Sequence, residues 1–218
     1  METATFSLLE LFNLGGIFMW PLLLFSIAVI AISIERAIYI FYHDLRVNYL
    51  YDKVLEYVDS NDYSGACEYL SGLSKRRIGA RIILILLKQV NPGHTFLVHR
   101  AERAVETEAK NCLDSLENGF NFLTALGSLS PLTGFLGTVS GMIGAFKSIA
   151  EATEVNAQIV ANGIYEALIT TVFGLIIAII AMIAHSLLSH IVDKFAARVE
   201  GVCSDLIARI ESGQNAEK

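Results

Sequence analysis

Three stretches without a charged residue divide this chain: Leu14–Ile34, Gly119–Phe146 and Ala167–Ala184. A helix needs about 20 mostly apolar residues, within a range of about 17–25, to cross the hydrocarbon of a bilayer. Each stretch therefore predicts a membrane helix. Between the first two, residues 44–118 are polar and helical in character, punctuated at Asn61-Asp62, Gly72 and Asn91-Pro92-Gly93 into several short helices. Ile78, Ile82, Ile83, Leu86 and Leu87 form an apolar cluster at helical spacing within that segment. No strong breaker separates Pro92-Gly93 from Pro131, so Thr95–Phe146 is predicted as nearly one helix. At 1.5 Å per residue its length is about 75–80 Å, far more than hydrocarbon needs, and the charges from Arg100 to Lys110 suit the part in water. A polar link, Lys147–Asn162, leads to the third span. Beyond it Phe195, Val199, Val202, Leu206 and Ile210 continue a helical seam to the C-terminal region.

The pattern predicts an all-α membrane protein with three transmembrane helices, the second and third extending as long helices into a cytoplasmic helical region. Its parts are 1–43 (outer N-terminus and first span), 44–118 (cytoplasmic helices), 119–190 (second and third spans) and 191–218 (cytoplasmic helix). Composition agrees. Hydrophobic residues make up 54%, mean hydropathy is +0.53, and charged residues are 17%. That is too apolar for an ordinary soluble domain and too charged for a protein wholly within lipid.

Charge changes the picture by giving a direction. Residues 44–118 carry ten Lys and Arg, among them Arg46, Lys75, Arg76 and Arg77, and the tail carries Lys194, Arg198, Arg209 and Lys218. Residues 1–13 carry none, and the 147–162 link has only Lys147. The positive-inside rule then puts the N-terminus outside and the C-terminus in the cytosol. Lys75-Arg76-Arg77 is read as the solvated basic end of a soluble subdomain rather than a lipid-headgroup site. The first apolar stretch lacks a basic start and a small-residue cleavage site, so it is read as a span and not a secretory signal. A net charge of −6 argues against a nucleic-acid partner. Cys67, Cys112 and Cys203 have no zinc or redox spacing and are read as free thiols in a reducing compartment.

The middle span is the one around which the rest is arranged. Gly134, Thr138, Gly141 and Ala145 follow at steps of 4, 3 and 4 and share one helix face. Gly137, Gly141 and Ala145, at steps of four, have the small-residue spacing that lets membrane helices approach closely. Thr138 in this span, with Thr170 and Thr171 in the third, supplies the hydroxyls nearest mid-membrane, and Glu166 begins the third span on its outer side. A carboxyl there faces protein or a water-filled cavity because hydrocarbon is costly for it; the plain alternative is an interfacial acid favoured by the helix dipole. Each threonine has a plain alternative too, a hydroxyl bonded to the preceding turn. At about 100° per residue, Glu166 and Thr170 share a face, while Thr171 lies about 140° from Glu166.

Catalytic signatures are missing from the sequence. There is no P-loop and no HExxH, and His99 with Glu102 gives two possible ligands without a third. Neither an enzyme, a metal nor a cofactor is expected. No Asp, Lys or Arg lies inside any span, so a proton crossing here would need a carboxyl from another chain.

Pro131-Leu132-Thr133-Gly134-Phe135-Leu136-Gly137-Thr138-Val139, with Gly141-Met142, resembles the second-span signature of the ExbB/TolQ/MotA proton-channel family. Gly163-Ile164-Tyr165-Glu166-Ala167-Leu168, Thr171 and Gly174-Leu175 resemble its third-span signature, and Glu35-Arg36 is similar to the pair closing its first span. Three spans and a short chain resemble ExbB or TolQ more than the longer four-span MotA. The resemblance implies a homopentameric ring in a bacterial inner membrane around an ExbD-like single-span partner whose membrane Asp carries the proton, with work passed to a TonB-like protein. It makes Thr138, Thr171 and Glu166 the proton-pathway residues and Gly134, Gly137, Gly141, Ala145 and Gly174 the packing residues. Thr170 has no such counterpart. Two positions depart from the pattern: Ile180 stands where many relatives have Pro, and Ser140 where a bulky aromatic often follows the Thr-Val pair. The expected function is that of an ExbB-like subunit of a proton-driven motor. A TolQ-like role in envelope maintenance, another stator, and a non-conducting membrane scaffold are the alternatives.

Overall fold

The computed structural model describes residues 12, 15–90, 96–151 and 157–216 of the chain. Among them every regular element is a helix: α1 Met19–Tyr42, α2 Asn48–Asp59, α3 Tyr63–Leu73, α4 Ile78–Leu87, α5 Val98–Glu117, α6 Phe120–Glu151 and α7 Ala157–Ala216. Three stretches are long and apolar enough to cross a membrane, Met19–Tyr42, Val98–Glu151 and Gly163–Gly213, with mean hydropathy reaching 2.0, 1.3 and 2.7. The architecture is the expected one, all-α with three spans, two of them in very long helices.

The boundaries differ from expectation in instructive ways. The first span is displaced toward the C-terminus, to Met19–Tyr42 rather than Leu14–Ile34. Gly15 and Gly16 precede it in a turn, Gly16 with φ of 66°, and Pro21 falls in its first turn, where a missing N–H costs nothing. The expected single helix from Thr95 to Phe146 is interrupted. Asn118 takes an extended ψ of 129° and Gly119 a φ of 90°, a backbone that a side chain would strain. Pro131, by contrast, lies inside α6 without ending it, as membrane helices allow. Asn91-Pro92-Gly93, one of the expected breaks, lies outside the described residues. Gly72 does not end a helix; α3 runs through it to Leu73. The link expected at Lys147–Asn162 is shorter, since α6 reaches Glu151 and α7 starts at Ala157.

The chain divides into two compact units. The first comprises the described residues of Met1–Ile34 together with Gly119–Ser186. Its α1 portion buries Met19, Leu22 and Val29 but leaves Trp20, Leu24, Ile27, Ile30 and Ile34 exposed. In α6, Leu132, Phe135, Leu136, Ile143 and Phe146 are exposed in the same way, and in α7 Val172, Ile176, Ile179, Ile180 and Ile183. A soluble monomer does not carry so much exposed apolar surface. Lipid is the solvent these faces require.

The second unit comprises Glu35–Asn118 and Leu187–Lys218. Its centre is α4, whose Ile78, Ile82, Ile83, Leu86 and Leu87 are all buried. Leu50, Val54 and Val58 of α2, spaced by four, are buried, as are Ala66 and Leu70 of α3. Asp62 caps α3 by accepting the Gly65 amide at 2.9 Å. In α5, Ala101, Val105, Cys112 and Leu116 form the buried stripe. The C-terminal half of α7 buries Val192, Phe195, Val199, Cys203, Leu206 and Ile210. Steps of three and four make this a helical seam. Cys203 occupies the place expected for Val202, which is only half-buried. Arg36 at the end of α1 donates to the Ser115 carbonyl at 3.1 Å, and the Tyr39 hydroxyl lies 2.9 Å from the Ser115 Oγ.

All three cysteines are free, Cys112 and Cys203 buried and Cys67 half-buried. Burial pushes the Cys67 thiol above its ordinary pKa, so less than the usual thiolate is present at neutral pH. Labelling of the native protein with maleimide is expected at Cys67 alone, slowly at pH 7 and faster as pH rises. Cys112 and Cys203 are expected to react only after denaturation. Fast labelling of either in the native protein, read by peptide mass spectrometry, contradicts the fold.

Candidate functional site

Within the first unit α6 and α7 meet along a ladder of small residues. Gly127 lies against Ala178, Ala181 and Met182, Gly174 against Ser130, Gly134 against Thr170 and Thr171, and Gly141 against Ala167 and Gly163. Ala145 touches Gly163. The partners descend α7 as they ascend α6, so the two run antiparallel here. No side chain separates the backbones at the closest points. A Cβ at Gly134 would sit 2.8 Å from the Thr170 carbonyl oxygen and 3.0 Å from the Thr171 Cα; one at Gly174 would sit 2.5 Å from the Ser130 carbonyl oxygen.

This close approach brings hydroxyls together. The Thr138 and Thr171 hydroxyls hydrogen-bond each other directly. Thr138 Oγ1 also donates to the carbonyls of Gly134 and Ala167, each at 3.2 Å. Thr171 Oγ1 is 3.1 Å from the Gly134 carbonyl oxygen. Thr170, fully buried, bonds the Ala167 carbonyl at 2.8 Å and lies 3.3 Å from that of Gly134. Three threonine hydroxyls thus converge on one carbonyl, and the glycine that carries it has no side chain to cover it. Each hydroxyl both donates and accepts, so the pair can turn its hydrogen bonds around without moving a heavy atom. Thr138 and Thr171 are half-buried, open on one side to whatever lies beside the α6–α7 pair.

Glu166 stands apart from this cluster. It lies five residues, about 7.5 Å of helix rise, from Thr171, and no hydrogen bond joins it to Thr138 or Thr171 among the described residues. It is exposed and lines a cavity of about 320 Å³ with Gly15, Gly137, Ser140, Gly144, Ser148 and Thr170. Gly16 approaches Glu166 so closely that a Cβ there would fall on the Glu166 carboxylate. Gly16 is a site residue that sequence reasoning did not single out, and Thr170, counted by it among the mid-membrane hydroxyls, is not part of the proton pathway it names. The Gly15-Gly16 doublet signals a turn, but its contact with Glu166 is between residues 150 positions apart and leaves no trace in local pattern. Ser140, one of the two departures, opens onto this cavity. Ile180, the other, sits in uninterrupted helix.

No group of three or more His, Cys, Asp or Glu capable of holding a metal occurs among the described residues. His99 and Glu102 form an exposed pair with Nδ1 and Oε2 3.3 Å apart.

Residues 79–201, more than half of the chain, match the MotA/TolQ/ExbB proton channel family. A putative ExbB-like biopolymer transport protein of Synechocystis is 34% identical over 212 residues, covering 89% of this chain and 77% of that protein. The biopolymer transport protein ExbB of Salmonella typhimurium is 25% identical over 191 residues, covering 85% of this chain and 77% of its own. TolQ of the Tol-Pal system of Haemophilus influenzae is 41% identical over 104 residues, a match spanning 47% of this chain and less than half, 46%, of that protein.

Proposed function

Because this chain belongs to the MotA/TolQ/ExbB proton channel family, a family of transport proteins rather than enzymes, we propose that it is the ExbB-like subunit of an inner-membrane motor driven by protons. Thr138, Thr171 and Glu166 form its side of the proton pathway. The observation that carries this reading is the meeting of the Thr138 and Thr171 hydroxyls over the Gly134 carbonyl, within the uncharged stretches Gly119–Phe146 and Ala167–Ala184. A hydroxyl pair can hand on a hydrogen bond but cannot store a proton at neutral pH, so a titratable group must stand opposite it. An ExbD-like single-span partner with a membrane Asp supplies that group, in a ring of five copies of this chain. Glu166 and the cavity beside it admit protons from the outer side. Protonation of the partner's Asp relieves the cost of a charge in hydrocarbon and lets the partner shift against the ring. A TonB-like protein takes the work to the outer envelope.

Orientation follows from the basic residues of 44–118 and of the tail, which hold the second unit in the cytoplasm and leave the N-terminus in the periplasm. Preference for ExbB over TolQ rests on extent: ExbB-named relatives align along 50–89% of the chain, the TolQ matches along 45–47%. The higher identity of that shorter match, 41%, favours a TolQ-like role in envelope maintenance as the second reading.

Glu166→Gln tests the entry role. Proton uptake into vesicles holding the complex is expected to fall about tenfold, less than the loss of a group at the transfer step itself because the cavity beside Glu166 stays open, with complex yield unchanged. Wild-type uptake would instead make Glu166 an interfacial acid placed by the helix dipole.

A further inference from the structure

The second unit contains a cavity of about 930 Å³ that the proton pathway does not use. Its size is at the upper end of small-molecule sites, roughly 300–1,000 Å³. Arg46, Arg76, Arg77, Lys194 and Arg198 line it together with His190. The chain has 16 Lys and Arg and a net charge of −6, so five cations around one cavity are a concentration that composition does not explain. Asp44 is the one carboxylate in the lining, and it is paired with Arg77 at 3.0 Å. The Arg76 guanidinium lies 5.7 Å from the Tyr42 ring centre. Arg46, Lys194 and Arg198 are exposed and make no ion pair among the described residues. Like charges held together without counter-charge call for an anion.

The site's level says which anion. Phe41, on the last turn of α1, is 78% exposed and belongs to the lining; Leu187 of α7, 62% exposed, is the last of the run of large exposed apolar residues in that helix. His190 and Lys194 follow Leu187 by three and seven residues, about 4.5 and 10 Å along the helix. The headgroup layer on each side of a bilayer is about 5–8 Å deep, so His190 falls at phosphate level, and Lys194 and Arg198, about 10 and 16 Å along, reach back toward it because helical side chains lean toward the N-terminus. Leu45, Leu73 and Phe195 supply apolar lining next to them, as a glycerol backbone and upper acyl chain require.

We propose that this cavity binds the phosphate headgroup of an anionic phospholipid, held by Arg46, Lys194 and Arg198. Arg76 and Arg77 complete the basic wall, so the Lys75-Arg76-Arg77 run is more than a solvated end. The proposal is independent of the motor reading and needs only the membrane spans.

The test is binding of radiolabelled phosphatidylglycerol to delipidated full-length protein in detergent, with phosphatidylcholine and inorganic phosphate as comparison probes. Phosphatidylglycerol is expected to bind in preference to phosphatidylcholine, and inorganic phosphate not to be retained. Arg46→Gln, Lys194→Gln and Arg198→Gln together are expected to weaken phosphatidylglycerol binding at least about tenfold. Arg46→Lys with Arg198→Lys should keep it, as should a charge-matched control lacking Lys88, Arg100 and Arg103. Equal binding of both lipids, or an equal loss in the charge-matched control, overturns the proposal. Retention of inorganic phosphate alone overturns the lipid assignment.

Discussion

Thr171→Val is expected to lower proton uptake by about a hundredfold, the loss typical of a removed proton-transfer group, while the complex still assembles. Valine keeps the branched shape and removes only the hydroxyl that meets Thr138 and the Gly134 carbonyl. An interhelical hydrogen bond in a membrane averages about 0.6 kcal/mol, too little to take the helices apart. Function and assembly should therefore separate cleanly. Thr138→Leu and Thr171→Leu add bulk at the same point and are expected to abolish uptake. The measurement is dye-reported proton uptake into vesicles, set beside the yield of intact complex from size-exclusion chromatography. Normal uptake in Thr171→Val and Thr138→Leu would remove both hydroxyls from the pathway and leave them as packing.

Gly134→Leu and Gly174→Leu are expected to fail in the opposite way, losing the assembly itself. At both positions the neighbour in the way is backbone, the Thr170 carbonyl and Thr171 Cα for one and the Ser130 carbonyl for the other. Backbone inside a helix cannot swing aside as a side-chain end can. Overpacking costs typically about 1–3 kcal/mol where side chains give way, and here α6 and α7 must separate as whole helices. Gly201→Ala is the control. Nothing lies within 4 Å of its new Cβ, and alanine in a helix is favoured over glycine by about 1 kcal/mol. Thermal unfolding of the detergent-solubilised complex should place both leucine variants far below wild type and Gly201→Ala at or above it. Wild-type stability in Gly134→Leu would mean that the two helices do not meet as described.

The three spans were legible because lipid imposes a crude and length-bound requirement, satisfied by uncharged stretches that no soluble domain carries. The buried set of α4 was legible for a similar reason, since Ile78, Ile82, Ile83, Leu86 and Leu87 repeat at helical spacing. Helix boundaries were less so. Proline at 131 reads as a breaker in water, yet within a span the helix continues through it. Asn118-Gly119 falls within a stretch that reads as nearly one helix, yet the backbone at Gly119 leaves the helical region altogether. Local propensity is outweighed in both places by the surroundings of the backbone. At the site, the face shared by Gly134, Thr138, Gly141 and Ala145 followed from helical periodicity alone. That Thr170 and Thr171 straddle the line of contact, so that both reach the Gly134 carbonyl, depends on how α7 is turned toward α6. Periodicity on one helix does not contain that angle. The approach of Gly16 to Glu166 is further still from sequence, since a turn before the first span and a carboxylate in the third meet only once the helices pack.

The motor account stands or falls on a companion chain, because the uncharged stretches Gly119–Phe146 and Ala167–Ala184 contain hydroxyls and no group to carry a proton between them. Native mass spectrometry of the tagged protein, extracted gently from its own membranes, tests this most directly. The account predicts a ring of five copies of this chain holding a small single-span protein with an Asp in its membrane segment. A stable assembly of this chain alone after mild extraction would contradict it, and would make the α6–α7 pair part of a membrane scaffold.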